Sequence, residues 1–450
     1  MTSYVLDGGI MDNLLAARAL MGVSFVFHII YATLGIGLPL LLMLAEGLAL
    51  KTGDESWHRI ARRWVLPAGV VFAIGAVSGT ILSFELGLLW PRFMAFSGAM
   101  IGLAFSMEGF AFFTEAIFLS LYFYGERRLS RRALFLCTIP LTLAAAISAI
   151  FVISANGWMN APSGFRMVNG SPSDVLPLTA FANEAWPHEA LHGTLAAYVA
   201  TSFAVAGYYA VLVLRRRDTV DAKKALLLSL SVAAVTAPLM LVTGDWAADS
   251  VAHFQKAKLA AMEAHFKTSA AAPLVVGGWP DPDTGQVHYA VRIPKLLSLL
   301  AQDDPNAVVQ GLDAFPQGTT PDPRLVHPFF DLMVGSFFIM AIGLGWFWWL
   351  RWRQKRVPDQ PRLLKYLIFV SPFGIIALES GWLVTEFGRQ PWVVQGYLRT
   401  SQSVTPNAGM VSVFVTFVVV YFCLTAGMLK LLLRHQGRHG TDDGEEVGHA

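Results

Sequence analysis

Apolar residues run along this chain in blocks too long for the core of a soluble domain, and polar residues collect between them. The blocks fall at roughly 19–50, 65–90, 98–124, 133–157, 188–214, 224–244, 327–350, 364–386 and 408–433. A helix rises about 1.5 Å per residue, so about 20 apolar residues cross a hydrocarbon layer about 30 Å thick. The pattern predicts an all-α integral membrane protein with about nine transmembrane helices. Two connecting segments are long. Residues 158–187 are rich in Pro, Ser and Asn and read as loop, whereas 245–326 are mixed. Within the latter, 250–268 (SVAHFQKAKLAAMEAHFKT) is amphipathic at helical period and predicts a helix lying on the outer surface. The chain divides into a six-helix membrane region (1–244), an external segment (245–326), a three-helix membrane region (327–434) and a polar tail (435–450) expected to be disordered.

Charge orients these spans. Arg59, Arg62 and Arg63, then Arg127 to Arg132, then Arg215 to Lys224, then Arg351 to Arg362, mark alternate loops as basic. The positive-inside rule puts those loops in the cytoplasm, with the N-terminus outside and the C-terminus inside. Composition agrees: 55% of the 450 residues are hydrophobic and 14% are charged, and the net charge is only +2. The first span lacks a basic flank before it and a small-residue cleavage site after it, so it is expected to stay. Cys137 and Cys423 form no Cys-x-x-Cys pair, which argues against zinc or cysteine-ligated iron–sulfur. No nucleotide-binding glycine pattern appears, and no nucleic-acid partner is expected.

Ionisable and sulfur-bearing residues inside the spans are the candidate chemistry, because a charge at mid-bilayer costs about 2.5–3.5 kcal/mol on insertion scales. Glu379 and Glu386 sit two helical turns apart with Trp382 between them, and Gly388 and Pro391 end that helix near Arg389. Glu108 and Glu115 share a face of the third span. His28 lies in the first, His188 and His192 lie at the outer end of the fifth, and Met333 opens the seventh. Gln255, Lys258 and Glu263 lie on the amphipathic outer segment. Each has a bland alternative: a core histidine, a neutralised buried acid, a packing methionine or a solvated charged face.

Several of these stretches carry a resemblance. Gly388-Arg389-Gln390-Pro391-Trp392, with Glu379 and Trp382 upstream, resembles the signature of subunit I of the cytochrome bd quinol oxidases. The run Lys258-Leu259-Ala260-Ala261-Met262-Glu263 resembles that family's quinol-binding loop, in its short form. His28 with Arg18 ten residues earlier, Glu108-Gly109 followed by Phe112-Phe113-Thr114-Glu115, His192 to Tyr198, and Met333-Val334-Gly335 match in order and spacing. Two departures stand out: the family spaces its two glutamates by eight rather than seven, and it has arginine where Asp331 stands.

The resemblance implies a haem-containing oxidoreductase of a bacterial inner membrane. It would oxidise quinol at the outer face through Lys258, Glu263 and Gln255, and reduce O2 to water. It implies a low-spin haem b on His192 and Met333. A high-spin haem b and a haem d would draw on His28, Glu108 and Glu386 as candidate ligands. Trp382 would carry electrons, Arg389 would meet haem propionates, and Glu108, Glu115 and Ser148 would bring protons from the cytoplasm. Charge would be separated without pumping. The partners implied are subunit II, a small single-span subunit and membrane lipid. Two alternatives stay open: a divergent relative with haem b in place of haem d, and a proton-coupled secondary transporter using the buried Glu and His.

Overall fold

The computed structural model describes residues 13–217, 219–407 and 409–445. Among these, nine helical segments are long and apolar enough to cross a membrane. Helices α1 (Asn13–Thr52), α2 (Glu55–Leu89), α3 (Pro91–Gly125) and α4 (Arg131–Asn160) come first, followed by a short α5 (Pro177–Phe181). Then come α6 (Trp186–Leu214), α7 (Thr219–Phe254), α8 (Lys256–Met262), α9 (Leu296–Gln302) and α10 (Pro323–Gln354). One span is broken into α11 (Pro361–Val370) and α12 (Phe373–Gly388), and α13 (Thr400–Ser403) and α14 (Met410–Glu445) complete the order.

Helices α1 to α4 pack on one another as a first bundle, and α6, α7, α10 and the α11–α12 pair form a second. α6 joins the two by packing on both α1 and α4. The α1–α6 crossing is close because Gly37 lies directly under Thr201, where a methyl would collide with the threonine side chain. Thr201 uses that approach to donate a hydrogen bond to the Thr33 carbonyl at 3.0 Å. The end with the basic loops is tied by ion pairs, Arg59 to Asp221 at 3.0 Å and Lys223 to Asp359 at 2.6 Å among them. The outward faces of the bundles are apolar, with Phe84, Phe110, Phe113 and Phe422 exposed, as lipid requires.

The structure corrects the reading of 250–268. There is no single surface helix: α7 runs ten residues past 244 to Phe254, and the backbone leaves the helical region at Gln255 (φ −129, ψ 50). α8 then makes two buried turns and stops before Ala264, which has positive φ. Periodicity could not separate one amphipathic helix from two whose faces happen to align. Beyond α8, 245–326 holds short antiparallel hairpins, such as 274–276 with 291–293 and 279–281 with 286–288. The 158–187 segment likewise holds a hairpin, 166–168 with 171–173, and α5. α14 continues to Glu445, into the stretch read as a disordered tail.

Candidate functional site

Two histidines in different bundles are held in the same way. His28 on α1 faces Ser78 on α2, with Nδ1 3.0 Å from the serine Oγ. Ser78 donates its own proton to the Ile74 carbonyl at 2.9 Å, an arrangement that suits an imidazole donating from Nδ1 and keeping a lone pair on Nε2. His192 on α6 faces Thr243 on α7 at 3.3 Å, and Thr243 donates to the Met240 carbonyl at 3.2 Å. The same arrangement leaves Nε2 of His192 as the nitrogen without a hydroxyl partner. A ring fixed through Nδ1–H with Nε2 open is how a protein presents histidine to iron.

Glycine makes room beside each. A Cβ on Gly79 would come within 3.0 Å of the His28 ring, and one on Gly244 within 3.2 Å of the His192 ring. Met333 on α10 shows the same relation, with its Sδ 3.0 Å from where Gly381 would carry a Cβ. α12 packs against both α6 and α10, so the helix carrying Gly381 and Trp382 lies between the helices of His192 and Met333. Glu379, one turn from Trp382, has two buried oxygens without a protein partner. His188 is 2% exposed, with both ring nitrogens unpartnered and its edge on Trp246. Open imidazole nitrogens, a thioether and orphaned carboxylate oxygens at glycine-lined sites fit the donor chemistry of haem.

Glu386 is differently placed. Asn156 donates to its Oε1 at 3.1 Å, and Arg389 pairs with its Oε2. Asn160 extends the network by donating to Glu189 at 2.9 Å and to the side-chain Oδ1 of Asn156 at 3.1 Å. Lys258 reaches this cluster from α8, its stem lying across Gly388, where a Cβ would come 2.9 Å from Cε. The signature glycine therefore has a packing role as well as ending α12.

Gln255, Lys258 and Glu263 are all buried, at 5%, 6% and 5% exposure, so the solvated-face alternative fails. Burial lowers Lys258 from the usual lysine range, partly offset by the carboxylates of Glu189 and Glu386. Burial, and then the Asp331 carboxylate, raise Glu263 to about 8. The residue expected to be arginine explains itself here. Asp331 accepts the Gly277 N–H at 2.8 Å and lies 3.2 Å from His327 Nε2, so it clasps the external segment to α10. His327 Nδ1 lies 2.7 Å from the Met262 carbonyl and pins the end of α8 to the same place. Asp331→Asn should weaken the clasp by about 1–3 kcal/mol. Hydrogen exchange at 255–280 is then expected to rise. Unaltered exchange there would refute the clasp.

Glu115 is buried on α3 and Glu108 half-buried two turns towards the end away from the basic loops, while Ser148 is half-buried on α4, which packs along α3. Sequence reasoning missed Asn156, Asn160 and Glu189, although polar residues at a span's end were a visible signal. It also missed Glu85, a buried carboxylate of α2 that accepts from Ser24 at 2.8 Å, while Tyr421 of α14 donates to Ser24. Ser78 and Thr243 gave no signal, because helix hydroxyls are ordinary.

Known proteins resemble this chain over nearly all of it. The family model described as cytochrome bd terminal oxidase subunit I matches residues 16–440. A Bacillus subtilis (strain 168) protein, provisionally named a cytochrome bd menaquinol oxidase subunit I, is 36% identical over 439 residues, covering 96% of this chain and 98% of its own. The cytochrome bd-II ubiquinol oxidase subunit 1 of Escherichia coli (strain K12) is 27% identical, covering 85% of this chain and 88% of its own. The bd oxidase structure from Geobacillus thermodenitrificans superposes with a TM-score of 0.90 at 34% identity, covering 95% of this chain and 99% of that one.

Proposed function

The chain belongs to the cytochrome bd terminal oxidase subunit I family, and from that premise we propose how its own residues divide the work. The family's function is quinol oxidation coupled to reduction of O2, the group it needs is haem, and the protein is a multi-pass membrane subunit that pairs with a subunit II. The transporter alternative falls with that assignment.

Lys258, Glu263 and Gln255 form the quinol site. A lysine and a carboxylate held out of water can hydrogen-bond the two hydroxyls of the head group, and Glu263 takes a proton when ionised. His192 and Met333 hold a low-spin haem b. His28, Glu108 and Glu386 serve a high-spin haem b and a haem d. Arg389, with its Nε buried and unpartnered, would pair with haem propionates, and Trp382, on the helix between those of His192 and Met333, would help carry electrons onward. Bound haem supplies the redox-active iron that links quinol to dioxygen. Glu115, Glu108 and Ser148 hold protons on their way inward from the cytoplasm. The site at 255–263 faces outward and the basic loops face the cytoplasm of a bacterial inner membrane, so quinol protons leave on one side and consumed protons come from the other. That separates charge without a pump. A small single-span subunit completes the assembly.

The observation that carries this reading is the matched pair of imidazoles, each anchored at Nδ1 by a helix hydroxyl and open at Nε2 beside a glycine. The test is the visible spectrum of the dithionite-reduced complex with a pyridine haemochrome assay. Low-spin haem b bands and a far-red haem d band are expected, and a preparation without porphyrin would end the reading. The seven-residue spacing of Glu108 and Glu115 supports a second version, in which haem b replaces haem d. Its mark is haem b bands without far-red absorption.

A further inference from the structure

At the end of the first bundle that carries the basic loops, one carboxylate lies deeper than any of the loop charges. Glu46 on α1 is fully buried. His58 of α2 places Nδ1 2.8 Å from its Oε1, and the Tyr122 hydroxyl of α3 donates to the same oxygen. Oε2 of Glu46 is buried without a partner. His58 also lines a cavity of about 550 Å3 whose other walls include Arg62, Glu126, Arg127, Ser130 and Arg131. Thus a wet, charged mouth touches the imidazole, the imidazole touches the carboxylate, and the carboxylate touches the phenol.

Tyr122 points the way inward. Glu108, Glu115 and Tyr122 follow one another at seven-residue intervals, so they stand on one face of α3. Side chains lean towards a helix's N-terminus, which for α3 is the direction of Glu115. A mere tie between three helices needs no acid, and burying one with an open oxygen is costly.

We propose that the His58–Glu46–Tyr122 cluster is the mouth through which protons drawn from the basic-loop side reach Glu115. This rests on the reading that Glu115 relays protons inward. A proton arriving at Nε2 of His58 releases the Nδ1 proton to Glu46, and the ring stays neutral in its other tautomer. The Tyr122 hydroxyl passes its proton on along α3, through water across the remaining two turns, and takes the carboxyl proton in exchange. No charge is left behind.

The test uses the complete oxidase in proteoliposomes with a short-chain quinol. Glu46→Gln should cut turnover at least tenfold and slow proton uptake from the basic-loop side equally, with haem content and quinol KM unchanged. Glu46→Asp should recover most of both. Wild-type turnover and uptake in Glu46→Gln overturn the proposal. So does a fall in assembled enzyme whose haem-loaded molecules turn over normally, the result expected of a structural tie. If Glu46→Gln does not assemble, His58→Asn and Tyr122→Phe decide: several-fold slower uptake supports the mouth, and normal uptake in both removes it. Glu115→Gln is measured alongside. If it is slow while Glu46→Gln is normal, only the mouth is lost; if both are normal, the relay through Glu115 fails too.

Discussion

Replacing either His192 or Met333 by alanine is expected to erase the low-spin haem signal and quinol oxidation together. On the proposed assignment each substitution would remove one of the two side chains that hold the low-spin haem. Loss of quinol-driven electron flow should exceed about 100-fold, above the 10–100-fold that loss of an outer partner typically costs in metal affinity. Thr243→Val keeps the imidazole and removes its hydroxyl partner while the Met240 carbonyl remains, so its effect should not exceed that smaller range. The measurement is the reduced-minus-oxidised spectrum beside quinol oxidase activity. A retained low-spin signal in both alanine variants would show that other residues hold this haem, and His188, with two open ring nitrogens, is the one to examine next.

Lys258→Met and Glu263→Gln should each lower quinol oxidation by about 100-fold, within the 10²–10⁴-fold range of positioned acid–base groups, while leaving every haem band in place. The pH dependence separates the two. Glu263 has its carboxyl raised to about 8 by burial and by Asp331, so at neutral pH it carries a proton and only the ionised minority can accept one from quinol. Wild-type oxidation should therefore climb as pH rises towards 8 and level off above it. In Glu263→Gln that limb should vanish. Stability runs the other way: between the ordinary carboxyl value and about 8 the folded acid stays protonated while the unfolded chain ionises, so the stability contributed by Glu263 falls as pH rises through that window and levels off above it. A climbing profile that persists in Glu263→Gln would place the titrating base elsewhere.

The number of spans was plain from the chain because lipid forces each helix to be long and apolar. The break at 371–372 between α11 and α12, and the extension of α7 to Phe254, were not, because window hydropathy records crossing and not bending or overhang. Among site residues, His28, His192 and Met333 were visible as exceptions to apolar surroundings. Their supports were invisible: Ser78 and Thr243 are ordinary helix hydroxyls, and Gly79, Gly244 and Gly381 acquire meaning only when the neighbouring helix is in place. Asp331 was legible as a departure, but its partners, Gly277 and His327, lie in a segment whose course no periodicity describes. Lys258 and Glu263 were found through their run, yet their burial depends on packing against Gly388 and α10.

The overhang of α7 has one more outcome. Ten residues of helix beyond position 244 stand about 15 Å tall, a mast from which the 245–326 segment is rigged, with Asp331 and His327 as stays. Trypsin can tell the secured part from the loose: Lys258 is buried against Gly388, whereas Lys267, Arg292 and Lys295 stand exposed on the loops. Brief digestion should spare the bond after Lys258, and cutting the stay at Asp331 should let a nick appear there.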